Sequence, residues 1–240
     1  MSLLSRVPSG CHIGSLEHTA QRADSICMAR ILVVNPNSSI TCSEAIAAAL
    51  EGFQRLRGLQ FDVVTMREGP PAIYSWRDWH GVVEPLCRLI GREPADAYVI
   101  ACASDPGIAA ARATTKQPVF GVFRCAVATA IAQAEHFGVI AITDESKPRH
   151  RAALRVMGLE GRLATETALN VTMETLLQPE AARARLIDAA HACAAAGAGA
   201  VILGCTGMAH HRTVIENAVG IPIIDPCQAA AGIVVSSLPR

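Results

Sequence analysis

Aromatic side chains are scarce in this chain: two Trp, two Tyr and five Phe make up 4% of its 240 residues. Net charge is missing as well, because 21 Lys and Arg balance 21 Asp and Glu. Such a balance leaves no electrostatic footprint for nucleic acid or for an anionic membrane surface. No apolar run reaches the roughly 18 residues that a membrane-spanning helix needs, so none is expected. There is no Cys-x-x-Cys pair and no His/Cys spacing of the zinc-binding kind. His210 and His211 are neighbours, and adjacent residues of a helix point in different directions. No metal and no cofactor are expected.

The cysteines number nine, an odd count scattered through a chain too long to need disulfide stapling. In an apolar pattern a free Cys acts as a small hydrophobe. Cys11, Cys27, Cys42, Cys87, Cys125, Cys193 and Cys227 are read in that way, or as plain surface positions. A reducing, cytoplasmic setting is the expectation. Residues 1–29 stand apart, since Ser2, Ser5, Ser9, Gly10, Gly14, Ser15, Glu17, Arg22 and Asp24 interrupt every apolar stretch and leave no signal-peptide core. They are expected to form a poorly ordered N-terminal extension, with the folded part starting near Met28.

What is present is a hydrophobic, Ala-rich chain, 51% apolar, in which short apolar runs alternate with helical patterns. Strands are predicted over Ile31–Asn35, Phe61–Met66, Ala97–Ala101, Val119–Phe123, Val139–Thr143, Leu163–Ala168, Ala200–Leu203 and Ile221–Asp225. Helical patterns fill the gaps: Ser43–Leu56, Gly81–Ile90, Ile108–Thr115, Ala126–Ala134, Pro148–Met157, Pro179–Ala196, Met208–Ala218 and Cys227–Ser236. The alternation predicts an α/β fold, and continuous apolar strands predict parallel sheets covered on both faces.

The chain also repeats itself. Ile31–Ser39 aligns with Val139–Ser146, the strand before Cys102 with the strand before Cys205, and Gln117–Phe123 with Gly220–Asp225. A period near one hundred residues is too long for a solenoid unit and predicts two fused, pseudo-symmetric halves. Each half is expected to be a mainly parallel four-stranded sheet flanked by helices. The first spans residues 30–130 and the second 131–240, with the last helix packing back on the first half. Ligands of parallel α/β sheets gather at the carboxyl ends of strands. Asn35–Ser39, Cys102–Gly107, Thr143–Ser146 and Cys205–Gly207 all fall at that edge, so a cleft between the halves would bring them together.

Cys102 and Cys205 are the leading candidates for chemistry. Each ends an apolar strand and precedes a Gly-containing turn. A helix N-terminus just beyond would favour the thiolate, and a thiol tuned toward neutrality is an effective proton-transfer group. Two thiols on opposite sides of a carbon acid can take a proton from one face and return one to the other. The plainer alternative is a pair of buried core cysteines. Asn35, Ser38 and Ser39 could hydrogen-bond a polar substrate or simply cap a helix. Ser104 and Thr206, close after their cysteines, face the same choice. Asp105, in Asp-Pro-Gly107, is read as a turn or cap residue. The segment Pro70–Trp76 is expected to overhang the cleft, where Ile73 and Tyr74 could touch the substrate's substituent.

Taken with these features, the motifs Asn35-Pro-Asn-Ser-Ser39, Cys102-Ala-Ser-Asp-Pro-Gly107, Gly204-Cys-Thr-Gly-Met208 and Ile221-Pro-Ile-Ile-Asp-Pro226 resemble the aspartate/glutamate/hydantoin racemase superfamily, and within it the hydantoin and allantoin racemases. The likeness runs from about Arg30 to the C-terminus and includes Ser146-Lys-Pro-Arg149. It implies cofactor-independent proton transfer at C5 of a hydantoin ring, with Cys102 and Cys205 as the acid/base pair and a homo-oligomeric assembly. Phe123-Arg124-Cys125 departs from the family pattern, which puts substrate identity in question. The rival readings are an amino-acid racemase, a maleate isomerase-like enzyme or an arylmalonate decarboxylase of the same fold, and a non-catalytic small-molecule binder.

Overall fold

The computed structural model describes residues 28–54, 56 and 58–238. The expected N-terminal extension lies outside the described residues except for Met28 and Ala29, and so do Cys11 and Cys27. Eight strands form two sheets among the described residues. The first contains β1 (Ala29–Asn35), β2 (Leu59–Thr65), β3 (Ala97–Ile100) and β4 (Val119–Gly121). The second contains β5 (Phe137–Ala141), β6 (Leu163–Ala168), β7 (Ala200–Leu203) and β8 (Ile223–Ile224). The strand orders are β2-β1-β3-β4 and β6-β5-β7-β8, and every pairing is parallel. The two sheets are thus the same object made twice, as the internal repeat predicted.

Ten α-helices accompany them among the described residues: α1 (Ile40–Gln54), α2 (Trp76–Gly81), α3 (Val83–Arg92), α4 (Ile108–Thr114), α5 (Val122–Gln133), α6 (Lys147–Met157), α7 (Met173–Leu176), α8 (Pro179–Ala195), α9 (Arg212–Val219) and α10 (Pro226–Ser237). The strand order reverses between β1 and β3, and again between β5 and β7. Such switch points leave a crevice beyond the strand ends, because the crossover helices leave in opposite directions.

The central strands are apolar on both faces because both faces are covered. Ile31, Leu32, Val33 and Val34 of β1 are all buried, as are Val201, Ile202 and Leu203 of β7. Fully burying each such side chain contributes roughly 1.5–3 kcal/mol. One core runs through both halves, joining Ile31, Val33 and Phe123 to Phe137, Val139, Ile202 and Val234. Two helices make it continuous. α5 follows the first sheet but packs against β7 and β8, while α10 follows the second sheet and packs against α1, α5 and β4.

Several predicted boundaries are corrected: β5 runs Phe137–Ala141 rather than Val139–Thr143, and β8 is Ile223–Ile224 rather than Ile221–Asp225. β4 stops at Gly121, and Val122-Phe123 begin α5 rather than ending a strand. The cause lies in another loop, since Asp105 Oδ1 accepts the Phe123 N–H at 2.8 Å and Oδ2 accepts the Arg124 N–H at 3.0 Å, which starts the helix early. The helix expected from Met208 is instead a 3-10 turn over Thr206–His211 followed by α9.

Candidate active site

The Cys102 turn follows β3 directly. The Ala101 N–H donates to Val34 O at 2.8 Å, keeping the chain beside β1, and the Asp105 N–H returns to Cys102 O at 2.9 Å. Asp105 has φ 48° and Gly107 φ 66°, and left-handed backbone is tolerated by Asp and free for Gly. The Asp-Pro-Gly motif is therefore a turn, as predicted, and its Asp caps α5. Arg124 pairs with that carboxylate, Nη1 to Oδ2 at 2.9 Å, so the Arg124 side chain is a strut behind the turn. Trp79 Nε1 donates to Ser104 O at 3.1 Å and fixes the turn from outside. Within it, Cys102 Sγ and Ser104 Oγ lie 3.6 Å apart.

Cys205 occupies the matching place after β7. The Gly204 N–H donates to Ile140 O at 2.8 Å, the counterpart of the Ala101 bond. A Cβ at Gly204 would stand 2.6 Å from that carbonyl oxygen, so only glycine allows the strands to approach this closely. Thr206 Oγ1 lies 3.7 Å from Cys42 Sγ, and Asn37 Nδ2 donates to the same sulfur at 3.7 Å. Cys42, expected as an inert hydrophobe, is thus one residue removed from the cavity wall.

Burial pushes both thiols up from their ordinary range. At Cys102 the N–H and hydroxyl of Ser104 oppose the effect of burial, as does Arg149, while Asp105 adds to it. At Cys205 the nearby Cys42, Cys102 and Asp225 add to burial, and the Gly207 N–H opposes them. The N–H groups that meet the sulfurs come from the turns themselves. The expected first turn of an α-helix is not the source, since α4 starts six residues after Cys102.

Both cysteines line one cavity of about 40 Å³, together with Asn37, Ile73, Tyr74, Ser104, Ser146, Arg149, Met173 and Thr206. A wider hollow of about 660 Å³ adjoins it, lined by Ser38, Ser39, Thr41, Glu174 and Gln178 among others. Ala72, Tyr74 and Met173 belong to both walls. The partition is bonded, because the Met173 N–H donates to the Tyr74 hydroxyl at 2.7 Å. Arg149 is 3% exposed; its Nη1 donates to Tyr74 O at 2.8 Å and Glu145 O at 2.9 Å. Beside it, His150 Nδ1 sits 2.6 Å from Glu166 Oε1, and its ring stacks on Phe123 at 4.8 Å between centroids.

Of the residues singled out in the sequence, Cys102, Cys205, Ser104, Thr206 and Ile73 line the inner cavity, and Ser38 and Ser39 line the outer hollow. Asn35 lines neither. Its amide is consumed within its own loop, donating to Asn37 Oδ1 at 3.0 Å, Ser39 O at 3.1 Å and Ser43 Oγ at 2.9 Å. Arg149, Ser146, Met173 and Cys42 were not picked out as site residues. The signal available for the first two was the alignment of Asn35–Ser39 with the Thr143–Ser146 loop, which makes the start of α6 the counterpart of the start of α1.

Two like parallel α/β units that share a thiol-lined cavity at their strand ends define a two-lobed protein with an enzyme-type site. Residues 31–234 match the family described as Asp/Glu/Hydantoin racemase. The chain belongs to that family and is an isomerase. It is similar to the hydantoin racemase of Paenarthrobacter aurescens, with 31% identity over 84% of this chain and 87% of the relative. The hydantoin racemase of Rhizobium meliloti is 35% identical over 83% of this chain and 85% of that one. Among solved structures, the allantoin racemase from Klebsiella pneumoniae superposes with a TM-score of 0.79 at 28% identity, covering 87% of this chain and 86% of its own.

Proposed function

We propose that this protein is a cofactor-independent racemase that interconverts the enantiomers of a 5-substituted hydantoin, or of allantoin, by two-base proton transfer between Cys102 and Cys205. The observation that carries the reading is the presence of both thiols in one cavity at equivalent strand ends. One thiolate takes the C5 proton while the opposite thiol supplies another to the far face, and the reverse reaction exchanges their roles. The neighbouring carbonyl accepts the developing enolate charge, which hydroxyl and N–H donors around the cavity can stabilise. Catalysis needs donors that hold this charge more tightly than the ground-state carbonyl. We place the protein in the cytoplasm as a homo-oligomer with halves dividing near residue 130.

Optical rotation followed for allantoin and for 5-alkyl and 5-aryl hydantoins, with proton NMR in deuterium oxide, tests the reading. Racemisation with solvent deuterium uptake is expected. Cys102→Ala and Cys205→Ala should each lose racemisation by a factor of about 10² to 10⁴, while each keeps deuterium exchange on one enantiomer only. Racemisation by both variants at the wild-type rate would overturn the mechanism. Carbon dioxide release or cis-to-trans isomerisation would replace it with a different reaction.

A further inference from the structure

The duplication makes the surroundings of the two thiols directly comparable. The starts of α1 and α6 are equivalent places, each following the first strand of its half; α1 packs against the turn after Cys205, and the start of α6 reaches the cavity that holds both thiols. From the α1 side come Asn37, which lines the cavity, and Cys42, 3.7 Å from the Thr206 hydroxyl. Both are neutral. From the α6 side come Ser146, Arg149 and His150, which line the cavity with both thiols, and the Arg149 charge acts on Cys102. Arginine carries its charge at every accessible pH.

No carboxylate among the described residues forms an ion pair with that charge, although those of Glu145 and Asp78 attract it through space. The guanidinium donates to neutral oxygens: Tyr74 O and Glu145 O through Nη1, and Ser146 Oγ at 3.4 Å and Ile73 O at 3.5 Å through Nη2. Its Nε is buried with no partner. A buried cation without a counter-charge is costly. Of the side chains lining the cavity, Cys102, Cys205 and Tyr74 are those that can become anionic, and Tyr ionises only near pH 10.

We infer that Arg149 is a positioning residue that breaks the symmetry of the pair: its guanidinium is the counter-charge of the Cys102 thiolate, so Cys102 rests as the base and Cys205 as the acid. The inference rests on the two-thiol reading above. The charged and titratable groups around Cys102 are Arg149 and His150 from α6 (the latter bonded to Glu166), Tyr74 from the loop before α2, Asp105 from its own turn (held by Arg124 of α5), Cys205 from the loop after β7, and Cys227 from α10. The carboxylates of Glu145 and of Asp78 in α2 attract Arg149 as well, less strongly than the Cys102 thiolate does. Burial raises both thiols; Ser104 and Arg149 pull Cys102 down against Asp105, whereas Cys42, Cys102 and Asp225 push Cys205 further up against the Gly207 N–H.

The proton cycle balances. The resting form takes the enantiomer whose C–H faces Cys102; that proton goes to the Cys102 sulfur as the Cys205 S–H is spent on the opposite face. Turnover leaves Cys102 as thiol and Cys205 as thiolate, and proton exchange with solvent restores the resting form.

Alkylation by iodoacetamide, which reads the thiolate, tests this without substrate. The rate at each cysteine is followed by peptide mass spectrometry across pH in the wild type, Arg149→Gln and Arg149→Lys. The Cys102 midpoint is expected below that of Cys205. Arg149→Gln should raise the Cys102 midpoint by about one pH unit and leave that of Cys205 in place, while Arg149→Lys should keep it low. Equal midpoints in the wild type, or a lower one at Cys205, overturn the inference even if the Gln variant does not fold. So does an unmoved Cys102 midpoint in a folded Arg149→Gln, the result expected if Arg149 only clamps Ile73 and Tyr74 or holds a substrate carboxylate. A wild type with the expected alkylation order that racemises no hydantoin removes the function reading and leaves the charge assignment standing.

Discussion

Asp105 and Arg124 form an ion pair, Oδ2 to Nη1 at 2.9 Å, that ties the Cys102 turn to the first turn of α5. The carboxylate is 1% exposed and also accepts two backbone N–H groups, whereas the Arg124 side chain keeps 22% of its exposure. Removing Asp105 therefore orphans three donors, while removing Arg124 leaves the cap in place. Asp105→Ala is expected to cost about 3–5 kcal/mol and Arg124→Met about 1–3 kcal/mol. Urea unfolding midpoints decide the order, and an Arg124→Met cost equal to that of Asp105→Ala would show that the ion pair, not the cap, holds the turn.

Gly204 permits the close approach of the Cys205 loop to β5. A methyl group there would meet Ile140 O at 2.6 Å, Val139 Cγ1 at 3.1 Å and His150 Cε1 at 3.2 Å. Backbone cannot yield as a flexible side chain does, so Gly204→Ala must move Cys205. Displacement of a reacting group by about 1 Å costs on the order of a hundredfold. The expected result is a loss of kcat/KM of that size in a protein that still folds cooperatively. A variant with wild-type kcat/KM would show that the position of Cys205 is not set here.

Asp225 and His211 should give stability opposite slopes in one pH window. Burial raises the Asp225 carboxyl to about 6, and it keeps one bond, from the Gln228 N–H at 2.8 Å. A raised folded value means that its contribution is present below the unfolded value near 4 and is lost as pH rises through 6. Burial and the neighbouring His210 lower His211 to about 4, so its contribution is present above about 6.5 and is lost as pH falls toward 4. These two contributions therefore oppose each other between pH 4 and 6, and each variant is compared with the wild type. Asp225→Asn should become less stable as pH falls, and His211→Gln less stable as pH rises. Thermal melts across that window check the signs whatever the absolute offset of each variant.

Tyr74 closes the partition between the inner cavity and the outer hollow through the Met173 N–H. Tyr74→Phe removes a bond worth about 0.5–1.5 kcal/mol while keeping the ring. Loosening this wall should favour large 5-substituents, raising kcat/KM for 5-benzylhydantoin relative to 5-methylhydantoin. An unchanged ratio would mean that substituents do not pass this wall.

How much of this was legible in the sequence depends on how local each cause is. β6 and β7 occupy their predicted spans because apolar or alternating runs bounded by turns are a local signal. α2 was missed although its capping box, Ser75 with Asp78, is local too; its Trp-Arg-Asp-Trp sequence has no apolar stripe to find. The early start of α5 could not be seen, since the carboxylate that caps it lies 18 residues upstream. Arg149 was visible only as one basic residue in a polar motif.

Periodicity and repetition alone determined the two parallel α/β halves and the equivalent addresses of Cys102 and Cys205, because strand patterns and strand-end turns are written in consecutive residues. Tertiary structure decided what surrounds each thiol. Packing the halves about one core brings α1 against the turn after Cys205 and sets the buried Arg149 guanidinium of α6 in the cavity with both thiols, so that Cys42 acts on one sulfur and Arg149 on the other. Electrostatic fields act through space between segments distant in the chain, and for that reason two thiols with equivalent addresses have unequal chemistry.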